Sequence, residues 1–352
     1  MNRSLAQWLA DNPGGAVAAA GFLAVLPFFG FGLVFFLIGA VPAYLVLARG
    51  PRVGFLVGLG TALITAATAA AIGRSPVFGL LYSAWVLVPP IALSVLLART
   101  GSLSMCLQVA TLIAVAMLVG MHVLLGQPEK FFSPFIQDLA QQFQSQGVPQ
   151  EDANNILSTM AKTLWGSIAV VAMLGAVLSV FVARWMQAFA ESAERPALDP
   201  VTVLAAGLLV LVAVGATMER SIAMEIVKNF MVVVLLVVAF ALPRKPTAYS
   251  GEFHEVRLGL ALAAVTLAVA AASFLVRSAV VADVAGLFLC AFMVVGFSAA
   301  HRAKVRGTVG TLALATLYVL TLLLAPIMVL VMAAWGFVEN WLRSQRAAPV
   351  AS

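Results

Sequence analysis

Four ionisable residues are the candidates for binding a polar ligand within an otherwise apolar chain. Arg220 and Glu225 lie in one polar turn, which also holds Lys228, and Arg277 and Asp283 lie in the next. A charge inside a bilayer is costly unless it is paired, so such residues are functional candidates. They also fall at predicted helix ends, where side chains reach the interface easily. They therefore form either a substrate-binding site or ordinary turns.

Two breaks in the apolar runs add to these candidates. Pro89 and Pro90 lie inside the fourth predicted helix, where paired prolines remove backbone donors and kink or unwind a helix. Irregular backbone in a membrane faces protein or a cavity, so the prolines are further substrate-binding candidates. The Pro/Gly-rich residues 27–32 split the first apolar block, and predict two short helices joined by a tight turn.

The composition predicts a membrane protein. Of 352 residues, 63% are apolar and only 10% are charged, too few to cover a soluble protein of this size. A helix needs roughly 20 apolar residues to cross a bilayer, and the chain offers about eleven such runs. The predicted fold is an all-α polytopic integral membrane protein with about 11 transmembrane helices (range 8–11) and an amphipathic extramembrane stretch.

The one long polar passage divides the chain into three predicted regions. Residues 1–126 form a five-helix membrane region, residues 127–164 the amphipathic extramembrane helices, and residues 165–352 the C-terminal membrane helices with basic inner loops and an interfacial tail. The amphipathic helices are too short and too polar to cross a membrane, and lie at its interface. They are either a plain connector or a lid over a cavity.

Small residues recur at four-residue spacing in the first and third predicted helices. Such spacing allows the backbones of neighbouring helices to approach closely. It serves packing within the chain or forms a docking face for a partner subunit. The residues are Ala16, Ala20 and Ala24, and Gly50, Gly54 and Gly58.

The densest charge cluster is the segment of Glu252, His254, Glu255 and Arg257. Its carboxylates and imidazole could relay protons or hold a metal. Beside many basic residues, however, an interfacial segment or partner-docking site is the better interpretation, and we predict no metal and no cofactor. Familiar hydrolase, NTPase and redox motifs are absent from the sequence, so no enzyme is predicted.

The distribution of positive charges indicates how the chain is oriented in the membrane. The net charge is +6, but Lys and Arg are scattered between apolar runs, which argues against nucleic-acid binding and for loops at a membrane. With a cytoplasmic N-terminus and eleven crossings, most of the 20 Lys and Arg residues lie inside, as the positive-inside rule requires. The amphipathic stretch then lies outside, and no removable signal peptide is expected.

Short motifs near the C-terminus carry a family resemblance. Residues 253–259, of sequence FHEVRLG, resemble the FxEfRL segment of the uncharacterised bacterial YybS-like membrane proteins. The helix ending at residues 300–302 (AHR) and the final helix ending at residues 335–341 (WGFVENW) are similar to that family as well. Residues 195–247 look like an added hairpin relative to its pattern.

The YybS-like family is in turn similar to the S-components of energy-coupling-factor transporters. That resemblance implies a small-molecule-binding protein of the bacterial inner (cytoplasmic) membrane, with energising subunits as partners. The leading interpretation is thus a solute-binding or transport component. A non-transporting scaffold that recruits partners, and a lipid-modifying enzyme that uses Glu225, Asp283 or His254, are the alternatives.

Overall fold

The computed structural model describes residues 4–145, 149–191, 200–216, 222–241, 252–276, 278–307 and 309–346. Within these ranges the chain is helical and contains no strand, so the predicted all-α class is confirmed. The α-helices are α1 (Leu5–Asp11), α2 (Pro13–Val25), α3 (Ala40–Arg49), α4 (Pro51–Ala71), α5 (Pro76–Thr100), α6 (Leu103–Leu124), α7 (Pro128–Phe131), α8 (Ser133–Ser145), α9 (Gln150–Lys162), α10 (Leu164–Glu191), α11 (Pro200–Ala216), α12 (Ile222–Ala241), α13 (Gly259–Leu275), α14 (Ala279–Val305), α15 (Thr311–Leu323) and α16 (Ala325–Arg346).

Six helical segments in the described ranges are long and apolar enough to cross a membrane, so this is a multi-pass membrane protein. A seventh span results if the bent pair Leu5–Asp11 and Pro13–Phe29, which turns by 116°, counts as one. The predicted number of about eleven is not confirmed. The six segments are Gly32–Arg49, Pro51–Ala71, Pro76–Thr100, Leu103–Leu124, Leu164–Glu191 and Ala279–Val305.

The chain forms two compact units. Unit 1 comprises residues 1–107, 174–256 and 300–325, and unit 2 comprises residues 108–173, 257–299 and 326–352. The three regions predicted from the sequence divide the chain by its order, whereas both units combine distant segments. That division stays a prediction.

In unit 1 the first apolar block is interrupted where the Pro/Gly residues predict a break. Two 3₁₀ helices, Leu26–Phe29 and Gly32–Leu37, separate α2 from α3. Gly30 joins them with a φ of 89°, a left-handed conformation that favours glycine. We call residues 30–33 the interruption, because here the backbone leaves the regular helical hydrogen-bond pattern.

Close packing in unit 1 depends on small residues. A Cβ at Gly54 of α4 would lie 2.8 Å from the carbonyl oxygen of Pro42 on α3, and one at Gly58 would lie 2.8 Å from the Ile91 Cδ1 atom of α5. Gly50 instead precedes α4 with a φ of 94° and open space around it. Both inner glycines therefore allow α4 to approach its neighbours within the chain.

The alanine ridge of α2 is also internal to unit 1. Ala16, Ala20 and Ala24 have no exposed surface. The first two belong to the main hydrophobic core of the unit and Ala24 to a smaller cluster with Ile38 and Leu87. At these positions the ridge serves packing within the chain.

Helix α5 continues through its paired prolines. Pro89 and Pro90 both lie inside the α-helix Pro76–Thr100, and Pro90 is buried. The Pro90 ring packs against Gly39, where a Cβ would overlap it and would also lie 3.0 Å from the Ser179 hydroxyl of α10. The prolines thus occupy a packed position where α5 contacts the start of α3.

In unit 2 the amphipathic stretch folds into α7, α8 and α9, which pack together. Ala153, Leu157 and Ala161 form the buried stripe of α9. The Trp165 indole at the start of α10 donates a 3.0 Å hydrogen bond to the Gly126 carbonyl and packs its ring against Phe131, 5.2 Å between centroids. This aromatic contact fixes α7 beside the start of α10.

Gly54 offers a direct test of the packing in unit 1. We expect Gly54→Ala to lower the stability by about 1–3 kcal/mol, because the added Cβ meets the backbone of α3. Gly120→Ala on α6 is the matched control, since its Cβ would meet nothing within 4 Å. Thermal unfolding in detergent measures both. Equal melting temperatures for the two variants would contradict the close packing.

Candidate functional site

The interruption is held by an asparagine from a distant helix of unit 1. The Leu33 backbone N–H donates a 2.8 Å hydrogen bond to the Asn229 side-chain oxygen, and the Asn229 amide donates to the Gly30 carbonyl at 3.2 Å. Lipid offers no hydrogen-bond partners, so each unsatisfied backbone group in it costs several kcal/mol. Asn229 thus supplies both a donor and an acceptor to the irregular backbone.

Asn229 is itself fixed by its own helix. Its amide also donates a 2.8 Å hydrogen bond to the Glu225 carbonyl one turn earlier in α12. The side chain therefore makes three hydrogen bonds with a defined orientation. A rigid asparagine at this point sets the position of α12 against the start of the membrane segment Gly32–Arg49.

Lys228 lies beside Asn229 and is buried, with 8% of its surface exposed. Its ammonium group lies 5.6 Å from the centre of the Phe31 ring, a cation–π distance. The lysine stem also lies against Gly215 of α11, where a Cβ would be 3.3 Å from the lysine Cε atom. Among the described residues, no carboxylate forms an ion pair with Lys228.

Glu225 completes the polar face of α12. It is exposed, and its Oε1 atom would lie 3.2 Å from a Cβ at Gly30. The spacing of residues 225, 228 and 229 places all three side chains on one face of the helix. We call this cluster the interruption site, and its residues are Gly30, Phe31, Leu33, Glu225, Lys228 and Asn229.

Aromatic side chains from α5 line the other side of the same segment. Phe28 packs against Tyr82 at 5.3 Å between ring centroids, and Phe35 packs against Trp85 at 5.1 Å. The Tyr82 hydroxyl is buried and has no hydrogen-bond partner in the described part of the chain. The segment on either side of the interruption is therefore enclosed by aromatic groups.

Unit 2 contains a separate polar pair. His122 of α6 and Asp283 of α14 are 3.2 Å apart between Nε2 and Oδ2, and their side chains are 11% and 9% exposed. Gly166, at the start of α10, packs directly against the same carboxylate. A Cβ at Gly166 would lie 2.7 Å from the Asp283 carboxyl carbon, so this approach requires glycine.

The predicted substrate-binding residues are distributed over several places. Glu225 belongs to the interruption site of unit 1, and Asp283 belongs to the histidine pair of unit 2. Arg220 and Arg277 lie outside the described residues. Pro89 and Pro90 lie at the packed crossing with α3, so the six candidates do not form one described cluster.

Parts of the predicted inner-face segment are bound within the protein. Glu252 forms a two-pronged ion pair with Arg184 of α10, including a 2.8 Å bond from the Arg184 Nε atom. Glu255 is exposed, and its carbonyl accepts a 3.3 Å bond from Ser104. Arg257 is exposed in unit 2. No group of three or more metal-binding side chains occurs among the described residues.

His254 lies in a small aromatic cluster of unit 1. Its ring stacks on His301 at 6.4 Å, and the His301 Nε2 atom is 2.8 Å from the Tyr318 hydroxyl. Phe253 meets the same His301 ring edge-on at 5.2 Å. Burial, and then the neighbouring Arg302 charge, lower the pKa of His254 below its ordinary value.

Arg184 also borders a cleft of about 250 Å³. Its guanidinium donates to Gln187 at 2.8 Å, and Gln187 donates to Glu191 at the same distance. These bonds and the Glu252 pair engage the arginine within unit 1. The cleft is lined by Leu47, Leu97, Ala98, Gly101, Arg184 and Gln187.

No protein-family model matches the chain, and no curated protein or solved structure matches it either. The resemblance to the YybS-like proteins and to S-components therefore stays a prediction. The functional interpretation rests on the geometry of the residues described above.

The contacts of three residues were not evident from the sequence. Asn229 is a neutral residue in an apolar helix, His122 stands alone in another, and Arg184 has the position of an interfacial anchor. A signal for Asn229 does exist, since Glu225, Lys228 and Asn229 share one helical face. No sequence pattern indicates that His122 pairs with Asp283, because 161 residues separate them.

The histidine pair predicts strong coupling between two helices of unit 2. We expect His122→Leu and Asp283→Leu each to lower the stability by about 3 kcal/mol, because each leaves a buried polar partner unpaired. The double variant should lose less stability than the sum of the losses in the two single variants. Reversible unfolding in mixed detergent measures the free energy of unfolding of the wild type, the two single variants and the double variant. The exposed Asp138→Leu is the control. Strict additivity would contradict the pairing.

The lowered pKa of His254 predicts acid sensitivity. As the pH falls through about 6.5, the unfolded chain takes up a proton at His254 before the folded chain does, so stability decreases. We expect His254→Phe to lose less melting temperature than the wild type between about pH 7 and pH 5.5. The exposed Glu255→Gln should behave as the wild type does. A His254→Phe profile identical to that of the wild type would refute this origin.

Proposed function

We propose that this chain is a small-solute-binding component of a transport system in the bacterial inner membrane. The observation that carries the proposal is the interruption of the first apolar block, where Asn229 binds the freed backbone next to the buried Lys228. Irregular backbone at membrane depth occurs where it is enclosed by protein or lines a cavity. In transporters, discontinuous membrane helices mark the binding sites of substrates and ions.

The residues around the interruption suit reversible binding. On one helical face Glu225 is exposed, Asn229 is half-buried and Lys228 is buried, so polar groups extend from the surface to the buried cation. Asn229 holds the Leu33 N–H and the Gly30 carbonyl of the interruption, so this part of the site has a defined geometry. A ligand there would contact α12 and the start of the membrane segment Gly32–Arg49 together.

Energy for transport would come from partner subunits. The sequence contains no phosphate-binding loop of the NTPase type, so ATP-driven transport would require a separate ATPase. The N-terminus is cytoplasmic in this proposal, as the positive-inside rule favours.

The two other functions have weaker support. A scaffold would use the inner-face segment for partners, but Glu252 of that segment is bound to Arg184 of the same chain. A lipid-modifying enzyme would need a carboxylate–histidine pair that is exposed to lipid, whereas the side chains of His122 and Asp283 are only 11% and 9% exposed. We therefore place the solute at the interruption site.

The test is native mass spectrometry of the full chain purified in mild detergent. We expect a stoichiometric small solute in the wild type and its loss in Asn229→Ala. This variant removes the side chain that holds Leu33 and Gly30 in place, so the site loses its defined geometry and we expect the solute to bind about tenfold or more weakly.

Asn155→Ala is the matched control, because Asn155 is an exposed asparagine on α9. It should retain the solute, and circular dichroism should show equal helix content in both variants. Bulk phospholipid alone in the wild type, with protein partners in place of a solute, would overturn the proposal in favour of the scaffold.

A further inference from the structure

Lys228 is a buried cation whose counter-charge is missing from the described chain. It is more than nine-tenths buried, its ammonium group lies 5.6 Å from the centre of the Phe31 ring, and its stem lies beside Gly215. A charged group in an apolar environment is costly unless it is paired and hydrogen-bonded. A cation–π contact contributes only about 0.5–2 kcal/mol. The ring therefore offsets part of the cost of burying the charge, but it does not neutralise that charge.

The neighbouring polar side chains do not supply the missing charge. Asn229 is neutral, and its three hydrogen bonds go to the backbone of Leu33, Gly30 and Glu225. Glu225 shares the face of α12 with Lys228 but is exposed and forms no ion pair with it. Since none of the described residues balances the ammonium group, an external anion would do so at this place.

We propose that the interruption site binds an organic anion through a single carboxylate, which pairs with the ammonium group of Lys228. The inference rests on the proposed function and specifies the ligand of the same site. The described residues provide one buried cation here, which matches one negative charge. The exposed carboxylate of Glu225 at the edge of the site disfavours ligands of higher negative charge.

The surroundings of the carboxylate indicate an apolar ligand body. The Phe31 ring lies next to the ammonium group, with 5.6 Å between the Lys228 Nζ atom and the ring centre. An acid with a hydrocarbon or aromatic body pairs with the cation and keeps its apolar part against this ring.

The experiment compares acids with their neutral amides on the wild-type chain in lipid nanodiscs. The probes are acetate, benzoate and octanoate, each with acetamide, benzamide or octanamide, together with inorganic phosphate. Isothermal titration calorimetry against empty nanodiscs measures binding. We expect at least one acid with an apolar body to bind about tenfold or more tightly than its amide, because the charged group gains the ammonium partner. Phosphate should bind no more tightly than acetate.

The variants assign the charge to one residue. Lys228→Met should weaken acid binding by about 10- to 100-fold, and Lys228→Arg should retain most of it because the positive charge remains. Lys162→Met on α9 is the matched control, because Lys162 is exposed and outside the site. Should Lys228→Met fail to fold, the acid–amide comparison on the wild type and the Lys228→Arg variant still decide the outcome.

The possible failures are distinguishable. Amides binding as tightly as their acids, or unchanged acid binding in a folded Lys228→Met, would overturn the anion assignment and leave solute binding intact. If phosphate binding depends on Lys228 and none of the acids binds, the proposal that the ligand is a carboxylate is overturned. If none of the probes binds and no solute co-purifies, both the anion assignment and the proposed function fail.

Discussion

The hydrocarbon interior of a membrane offers no hydrogen-bond partner, so each irregular stretch of backbone must find one within the protein. At the interruption, which lies between two apolar segments, a single side chain, Asn229, binds one backbone donor and one backbone acceptor. The position of α12 follows from those bonds. Lys228 is adjacent in sequence, so the same anchoring brings a cation to Phe31. The contact of Asn229 with the interruption thus both satisfies the irregular backbone and buries the charge of Lys228.

Unit 2 meets the same requirement by comparable means. Asn340 of α16 accepts hydrogen bonds from the backbone of Leu258 and Gly259 and donates to the Gly259 carbonyl, which fixes the start of α13. At the start of α10, Gly166 packs against the Asp283 carboxylate. In both places a side chain distant in sequence meets the backbone at the start of a helix. A Cβ at Gly166 would overlap Asp283, whereas Gly259 has open space around it and a φ of 77° that favours glycine.

The sequence predicted the features that depend on local composition. Its apolar runs indicated an all-α membrane protein, and Pro27 with Gly30 indicated the break that the two 3₁₀ helices form. The number of crossings was harder to predict, since α13 and α15 are apolar but shorter than a typical span. Pro89 and Pro90 suggested irregular backbone, yet α5 remains helical because the packing against Gly39 accommodates the ring.

The candidate site was only partly predictable, because hydrophobic periodicity describes one helix at a time. Glu225 stood out as a charge at membrane depth. Its relation to Gly30 depends on the return of α12 to a segment 196 residues earlier, as the bond from Leu33 to Asn229 shows. The same limit applies to His122 and Asp283. Tertiary contacts of this kind are set by the packing of whole helices, which no local pattern encodes.

The ion pair between Arg184 and Glu252 has a consequence for how this chain could have been assembled. The two residues are 68 positions apart, and α11 and α12 lie between them. Their contact joins the end of α10 directly to the residues that follow α11 and α12. A helical hairpin inserted or exchanged between such tied ends would leave the connection on either side in place. An exchanged hairpin would keep this connection, but it would also have to replace the Asn229 bonds to the interruption and the core contacts of α11 and α12.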